Sequence, residues 1–338
     1  MEALERLVPQ VEPFAIPIYI SDNHSDDDTV AAVEEFAVNR YRYIYINSNL
    51  WNMGFAENLR AAIAMANSKY VWLMSDDDAI MEGALSRVML HLEGEPSAII
   101  LNTSIYDQAL DKLLLERTFY QHEDIEYAPG QHEDILLSVP PFYMGVIILR
   151  SLWSDISAQV DTEIWPHTAV FLRAIVGRRV FFLAEPLIKI RAYNESYSSR
   201  KFEIFCIELP RVIWGLPESY SDCTKMRMIS PHRYRLISEV IISKSVGWLK
   251  WDNCHSVFLD LNINKYRLKM IELIIRYAPL PICQLFTVCY LGIVMLFSGE
   301  ILRFRPRKLS SLRWAMSLSW LSFPRWKGKM KKDSNYAS

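Results

Sequence analysis

"YVWLMSDDDAI", Tyr70–Ile80, drives three adjacent carboxylates into the end of an apolar run. The tetrapeptide "SDDD" also stands earlier, in "IPIYISDNHSDDDTV", Ile16–Val30. In both places the acids follow a β-branched and aromatic stretch that reads as a strand. Acids that cap a helix and acids that line the tip of a sheet do different work, and the surrounding pattern separates the two.

Working outward, "AIPIYIS" (15–21), "YRYIYINS" (41–48), "YVWLMS" (70–75) and "SAIILNTSIY" (97–106) have strand character. "DDTVAAVEEFAVN", "GFAENLRAAIAMANS" (54–68) and "EGALSRVMLHLE" have helical spacing. This alternation predicts an α/β fold: a mainly parallel sheet with helices on both faces. "GVIILRSLW" (145–153), the helix "HTAVFLRAIVG" (167–177) and the strand "RVFFLAEPLIKIRAY" continue it. Residues 107–140 are irregular and polar, and are expected to form a functional or mobile loop. Beyond about residue 200 the pattern turns helical. A boundary in "NESYSSR" divides the chain into 1–197, a helical region 198–278 and a tail 279–338.

Ligands of such sheets bind beyond the carboxyl ends of the strands, where Asp22 and Asp76–Asp78 fall. The second triplet crowds three charges that repel unless a cation sits among them. Mg²⁺ or Mn²⁺ takes oxygen ligands and is usually completed by substrate phosphates. The first triplet leads straight into a helix, so Ser25 or Asp26 is expected to cap it, with Asp27 and Asp28 at its positive end. Asp22, at the strand tip, is the residue there closer to function.

With 338 residues and 51% hydrophobic side chains the chain is long and apolar enough for a large core. Its net charge of −2 hides an asymmetry: residues 301–338 hold ten Lys and Arg against Asp333 alone. A basic tail on an acidic body suits an anionic partner. Charge alone would also suit nucleic acid, but no recognition motif accompanies it, and no nucleic-acid partner is expected. The five cysteines show no C-x-x-C pair, which fits a reducing compartment better than a disulfide framework. No signal peptide is read at the amino terminus.

"IPIYISDNHSDDDT" followed by "INSNLWNMGFAENLRAAIAMANSKYVWLMSDDD" resembles the family 2 glycosyltransferases of the GT-A fold. In that family the order is strand, D-N-x-S-x-D-x-T, helix, strand, N-x-G-x-x-x-N, helix, strand, D-x-D. The likeness covers about residues 2–195. Its later part, "IWPHTAVFLRAIVGRRVFFLAEPLIKIRAYNES", is similar to the bacterial branch with abequosyltransferase-like enzymes. The resemblance implies transfer, with inversion, of a sugar from a nucleotide-diphosphate donor to a lipid-linked or growing surface glycan. It places Asp22 and Asn23, Gly54 and Asn58 at the nucleotide, with Asp76, Asp77 and Asp78 at the D-x-D. Asp76 and Asp78 would hold Mg²⁺ or Mn²⁺. The family's opening strand is missing ahead of "MEALERLVP", so an N-terminally truncated domain is expected. An inactive nucleotide- or glycan-binding relic and a nucleotidyltransferase stand as alternatives.

The family's base position corresponds to "WPH", 165–167. His167 suits proton transfer near neutrality, and Asp161 and Glu163 lie within reach of the same loop. Arg191 has two readings, a contact to the diphosphate or a surface ion pair. The echo "QHEDI" at 121–125 and 131–135 reads as a solvated acceptor-side loop rather than a metal site. "PLPICQLFTVCYLGIVMLF", 279–297, has 19 residues, about 28 Å as a helix, barely a span. Basic residues flank it on both sides. Re-entrant or interfacial attachment is therefore expected, with "LRWAMSLSWLSFPRW" (312–326) on the anionic cytoplasmic leaflet of a bacterial inner membrane.

Overall fold

Ile18, Ile20 and Asp22 alternate with Tyr19 and Ser21, and this period of two forms strand β1, Ile18–Asp22. The structure is a computed structural model that describes residues 1–139, 145–192, 203–204, 208–245 and 265–298. Strand β1 pairs in parallel with β2, Ile44–Ser48, in the register Ile18↔Ile44 to Asp22↔Ser48. The helices α1 (Glu2–Val11) and α2 (Thr29–Asn39) pack with this pair. Leu4, Val8, Val11, Val33, Tyr41 and Ile44 form their buried cluster.

A second sheet has the strand order β3 (Tyr70–Leu73), β8 (Val146–Leu149), β5 (Ala98–Tyr106), β9 (Val180–Arg191) and β4 (Ala79–Ile80). Two short strands join it at the side, β6 (Leu113–Leu115) on β5 and β7 (Ile125–Tyr127) on β9. The expected α/β layering is present, and its parallel component lies in β1–β2 and in the long β5–β9 ladder. The sheet is mixed because β8 runs antiparallel to both β3 and β5, and β4 antiparallel to β9. Among the described residues no ladder joins β1 to β3, although Ile18, Ile20 and Trp72 pack against the same apolar cluster.

Both faces of the larger sheet are covered. Ile99, Leu101, Ile147 and Leu183 point into one cluster, with Ala84 and Val88 of α4 (Ala84–Leu92). Ala98, Ile100, Val146, Ile148, Phe182 and Ala184 point into the other. There they meet α3 (Phe55–Met65), α5 (His132–Ser138), α6 (Arg150–Ser157) and α7 (Pro166–Ala174). Each buried Ile or Leu contributes about 1.5–3 kcal/mol, so the two-sided strands are the chief stabilising elements. The ladder between β5 and β9 shifts register at Asn102, which is fully buried. Its amide repairs the break: Nδ2 donates to the carbonyls of Phe119 (2.8 Å) and Ala184 (2.9 Å). Its Oδ1 accepts from the N–H groups of Phe119 and Thr103.

Three expectations change. The stretch 107–140 is not one loop: it holds β6, β7 and α5. The first "QHEDI" copy is exposed at His122–Asp124, as expected, but the second opens α5, and an acid of each copy is anchored. Asp124 accepts from the Ala184 N–H and pairs with Arg87, while Glu133 accepts from Thr224 Oγ1 at 2.7 Å and from the Ser221 N–H. The chain divides into Met1–Ser230 and Pro231–Ser338, well past the expected boundary at 197. The reason is that Leu209, Val212 and Ile213 of α8 (Leu209–Trp214), with Leu216 and Tyr220, enter the core of the first unit. The stretch 193–202, which held the expected boundary, lies outside the described residues.

The second unit contains the carboxyl part of α9 (Asp222–Ser245), then α10 (Lys265–Tyr277) and α11 (Leu280–Ser298). Lys244 Nζ donates to the carbonyls of Ile274 and Ile275, both at 2.7 Å, and so caps the last turn of α10. The basic tail and the 312–326 segment lie outside the described residues.

Candidate functional site

The tip of β1 is tied together by side-chain amides and hydroxyls. Asp22 is 5% exposed, and its Oδ2 accepts from Ser48 Oγ (2.9 Å) and from the Ser25 N–H (3.2 Å). The Ser25 side chain above all, with the N–H groups of Ser25 and His24 and the Ser48 hydroxyl, holds this carboxyl below the usual aspartate range, against the upward push of burial. Asp22 therefore stays ionised at neutral pH. Its own carbonyl accepts from the Asn49 N–H at 2.9 Å.

Asn49 Nδ2 donates to Asn58 Oδ1 (2.9 Å), and Asn58 Nδ2 donates to the Ser21 carbonyl (3.0 Å), so α3 is fixed to the end of β1. Asn23 Oδ1 accepts from the Met53 N–H (2.9 Å), and its Nδ2 donates to Asn52 Oδ1 (2.9 Å). Gly54 precedes α3 at φ 84°, a conformation that favours glycine. A Cβ there would also fall 2.8 Å from Glu163 Oε2. The structure thus gathers the predicted Asp22, Asn23, Gly54 and Asn58 around one strand tip. Asn49 and Asn52 belong with them and were missed, though the asparagine-rich "INSNLWNMG" carried the signal.

Of the base candidates, Glu163 lies against the same glycine. Glu163 and Asp161 are exposed and line a cleft of about 320 Å³ with Glu57, Arg60 and Thr162. Arg60 holds the floor by donating to the carbonyls of Ser157 (3.1 Å) and Val160 (2.7 Å). His167 is buried in the first turn of α7, with its ring 6.2 Å from Phe55 and 6.0 Å from Trp165.

Beyond β3 the second triplet faces both ways. Asp76 is exposed, Asp77 is half-buried and accepts from the Ser75 hydroxyl, and Asp78 is 8% exposed. Burial pushes the Asp78 carboxyl up to about 7; Asp77 and Asp76 add to that, while the Arg191 N–H, donating to its Oδ1 at 3.0 Å, opposes it. Arg191, at the end of β9, clamps this loop. Its Nε donates to the Asp77 carbonyl (2.9 Å), its guanidinium also donates to the Gln108 carbonyl, and it pairs with Glu2 at 2.7 Å. Of its two sequence readings, the ion pair is the contact seen.

A divalent cation at this loop would find Asp76 and Asp77 on the open side and one oxygen of Asp78. Among the described residues no group of three or more His, Cys, Asp or Glu side chains is placed to hold a metal ion by itself. The donor set fits an open site, with the remaining ligands supplied by substrate oxygens.

The first triplet is structural. Asp27 Oδ1 accepts from the Thr29 N–H (3.0 Å), where α2 begins after Asp28. The expected cap by Ser25 or Asp26 is not made: the residue before α2 is Asp28, and no side-chain cap hydrogen bond is present there.

Comparison with known proteins gives a consistent picture. Residues 1–152 match the family model described as glycosyl transferase family 2. Abequosyltransferase RfbV of Salmonella typhimurium is 23% identical over 201 residues, which are 55% of this chain and 60% of that protein. The chain thus matches less than two thirds of that relative's length. S. aureus TarS, residues 1–349, superposes with a TM-score of 0.54 at 13% identity, over 90% of each chain. The same protein in complex with UDP gives a TM-score of 0.50 at 12% identity, over 79% of this chain and 73% of that one.

Proposed function

We propose, on the premise that this chain carries a glycosyl transferase family 2 domain on the GT-A fold, that it transfers a sugar with inversion from a nucleotide-diphosphate donor to a lipid-linked or growing surface glycan. The observation that carries the reading is the strand tip itself. An ionised Asp22, two amide-bearing side chains locked by hydrogen bonds, and a glycine-opened helix start form one surface. The abequosyltransferase relative and the UDP complex of TarS support it.

In this mechanism the Asp22 carboxylate accepts from the base or ribose of the donor. The Asn49–Asn58 pair keeps β1, β2 and α3 in fixed relation, so binding costs little reorganisation. Mg²⁺ or Mn²⁺ held by Asp76 and Asp78, with Asp77 between them, would neutralise charge building on the departing diphosphate. Arg191 holds the acid loop in shape. Glu163 is exposed beside Gly54, whereas His167 is enclosed by rings, so the exposed acid is the base. As the acceptor oxygen bonds to the anomeric carbon, its proton passes to Glu163, and the nucleoside diphosphate leaves with the bonding electrons. Asp161 lines the approach.

Calorimetry with UDP, GDP and CDP, each with and without Mn²⁺, tests donor binding. Affinity that requires metal and is lost in Asp76→Ala is expected; binding unchanged by metal and by that variant overturns the metal role. Glu163→Gln should lower the transfer rate by roughly 10²–10⁴ with donor affinity kept. A collapse in His167→Ala beside a near-normal Glu163→Gln returns the role to the histidine.

A further inference from the structure

The second unit carries large apolar side chains on its outside as well as in its core. Along α10, Ile271 and Ile275 are buried and form the core stripe. On the opposite side Tyr266 (85% exposed), Met270, Leu273 (50%) and Tyr277 stand at i, i+4, i+7 and i+11, one line along the helix. A helix of a soluble protein carries polar residues on that face. Lys265, Lys269 and Arg276, all exposed, run along one margin of the line, and Arg267 stands on the other. The acid of this helix, Glu272, is paired with Arg276 at 3.1 Å.

Helix α11 repeats the inversion. Its inner side carries Cys283 and Thr287, both buried, and Thr287 Oγ1 lies 3.0 Å from Ser245 Oγ and 2.8 Å from the Cys283 carbonyl. Its outer side carries Ile282 (61% exposed), Leu285 (65%), Phe286 and Val288. A hydroxyl inside and leucine outside is the arrangement of a helix whose surroundings are apolar. Among the described residues no single helix is long and apolar enough to cross a membrane. Lys265–Tyr277 and Leu280–Tyr290 pass that test only together, and they bend by 114° at their junction. Two helices set at such an angle, with apolar outer faces and a basic margin, suit the plane of a leaflet.

We infer that the outer faces of α10 and α11 form a membrane-docking surface for an anionic lipid leaflet. Charge decides between lipid and a second copy of the chain. Self-pairing through this face would bring the Lys265–Lys269–Arg276 margins of two copies together, whereas anionic headgroups neutralise them. The apolar line then enters the acyl boundary, with Tyr266 and Tyr277 at headgroup level.

The test is flotation of the full chain with phosphatidylcholine vesicles, with and without phosphatidylglycerol, at low and high salt. The wild type should float with the anionic vesicles. The triple variant Tyr266→Ser, Leu273→Ser, Tyr277→Ser should bind at least ~10-fold more weakly, since it removes the apolar area that would leave water, and its circular dichroism should be unchanged. Lys265→Glu with Lys269→Glu should also weaken binding, and high salt should remove most of that difference. Anionic-vesicle binding that neither variant alters would assign attachment to residues 301–338 and overturn the proposal. A wild type that does not float overturns it too, as does a dimer, seen by light scattering, that the triple variant abolishes.

Discussion

Asp22, at the end of β1, and Asp78, in the loop beyond β3, are both buried, and burial pushes both carboxyls up, yet the net shift is down for one and up for the other. Asp22 has neutral donors around it: the Ser25 and Ser48 hydroxyls and two backbone N–H groups. Asp78 has one backbone donor, from Arg191, and two carboxylates for neighbours. Burial alone does not set protonation; the number and sign of the polar partners decide it. Asp22 is built to be charged without help. Asp78, with its raised value, is favoured in the neutral form. Under the proposed function, a cation with its diphosphate would be what makes it charged.

The contrast is open to test, with the largest effect at Asp22. Asp22→Ala strips the partner from several donors at once, and should cost about 1–3 kcal/mol of stability at pH 7. A lowered denaturation midpoint together with lost nucleotide affinity is expected; an unchanged midpoint would mean that Asp22 is not held as the hydrogen bonds indicate. The second effect is at Asp78. Its folded-state value, about 7, lies above the ordinary 3.8, so the native state binds the extra proton between those two pH values. Its contribution is complete below about pH 4 and is lost as pH rises through about 7. Asp78→Asn should therefore raise Tm relative to wild type at pH 8, and the gap should close at pH 4. A constant gap across that range would remove the burial argument. Third, Mn²⁺ with a nucleoside diphosphate should shrink the pH 8 difference, because a cation favours the charged carboxylate. Equal Tm curves with and without the ligands would break the link between the raised value and metal. The slightest change belongs to Asp27→Ala, an exposed cap that should lower Tm a little and leave nucleotide affinity untouched. A loss of affinity there would show that the two triplets do more similar work than their contacts suggest.

Strand positions were legible because β5, β3 and β9 are β-branched or apolar over most of their length and need burial on both faces. The reversal of β8 was not, since its direction depends on how 107–139 folds back, and no local period encodes that. Asp22 and the Asp76–Asp78 triplet were singled out by their place beyond strands, and Gly54 and Asn58 by the family resemblance. The inward turn of Asp78 was hidden: three identical residues in a row say nothing about which one the Arg191 backbone will take. Asn49 and Asn52 were hidden because asparagine is also an ordinary turn residue. The late end of the first unit was hidden because α8 looks like any short apolar helix until Leu209 and Ile213 are seen in the core.

The division of the sheet into a two-stranded and a seven-stranded piece has a kinetic side. Strands β1 and β2 hold one another by a five-residue parallel ladder and are held to the rest by packing and by Asn58. Such a pair can part from the larger sheet without breaking any ladder hydrogen bond to it, so it should open as its own cooperative block. In native-state amide exchange, Ile18–Asp22 and Ile44–Ser48 should exchange together and well before Ala98–Leu101, whose two-sided burial ties them to global unfolding. Nucleotide bound at Asp22 would stitch the block shut, and the drop in its exchange rate would report occupancy of the site directly.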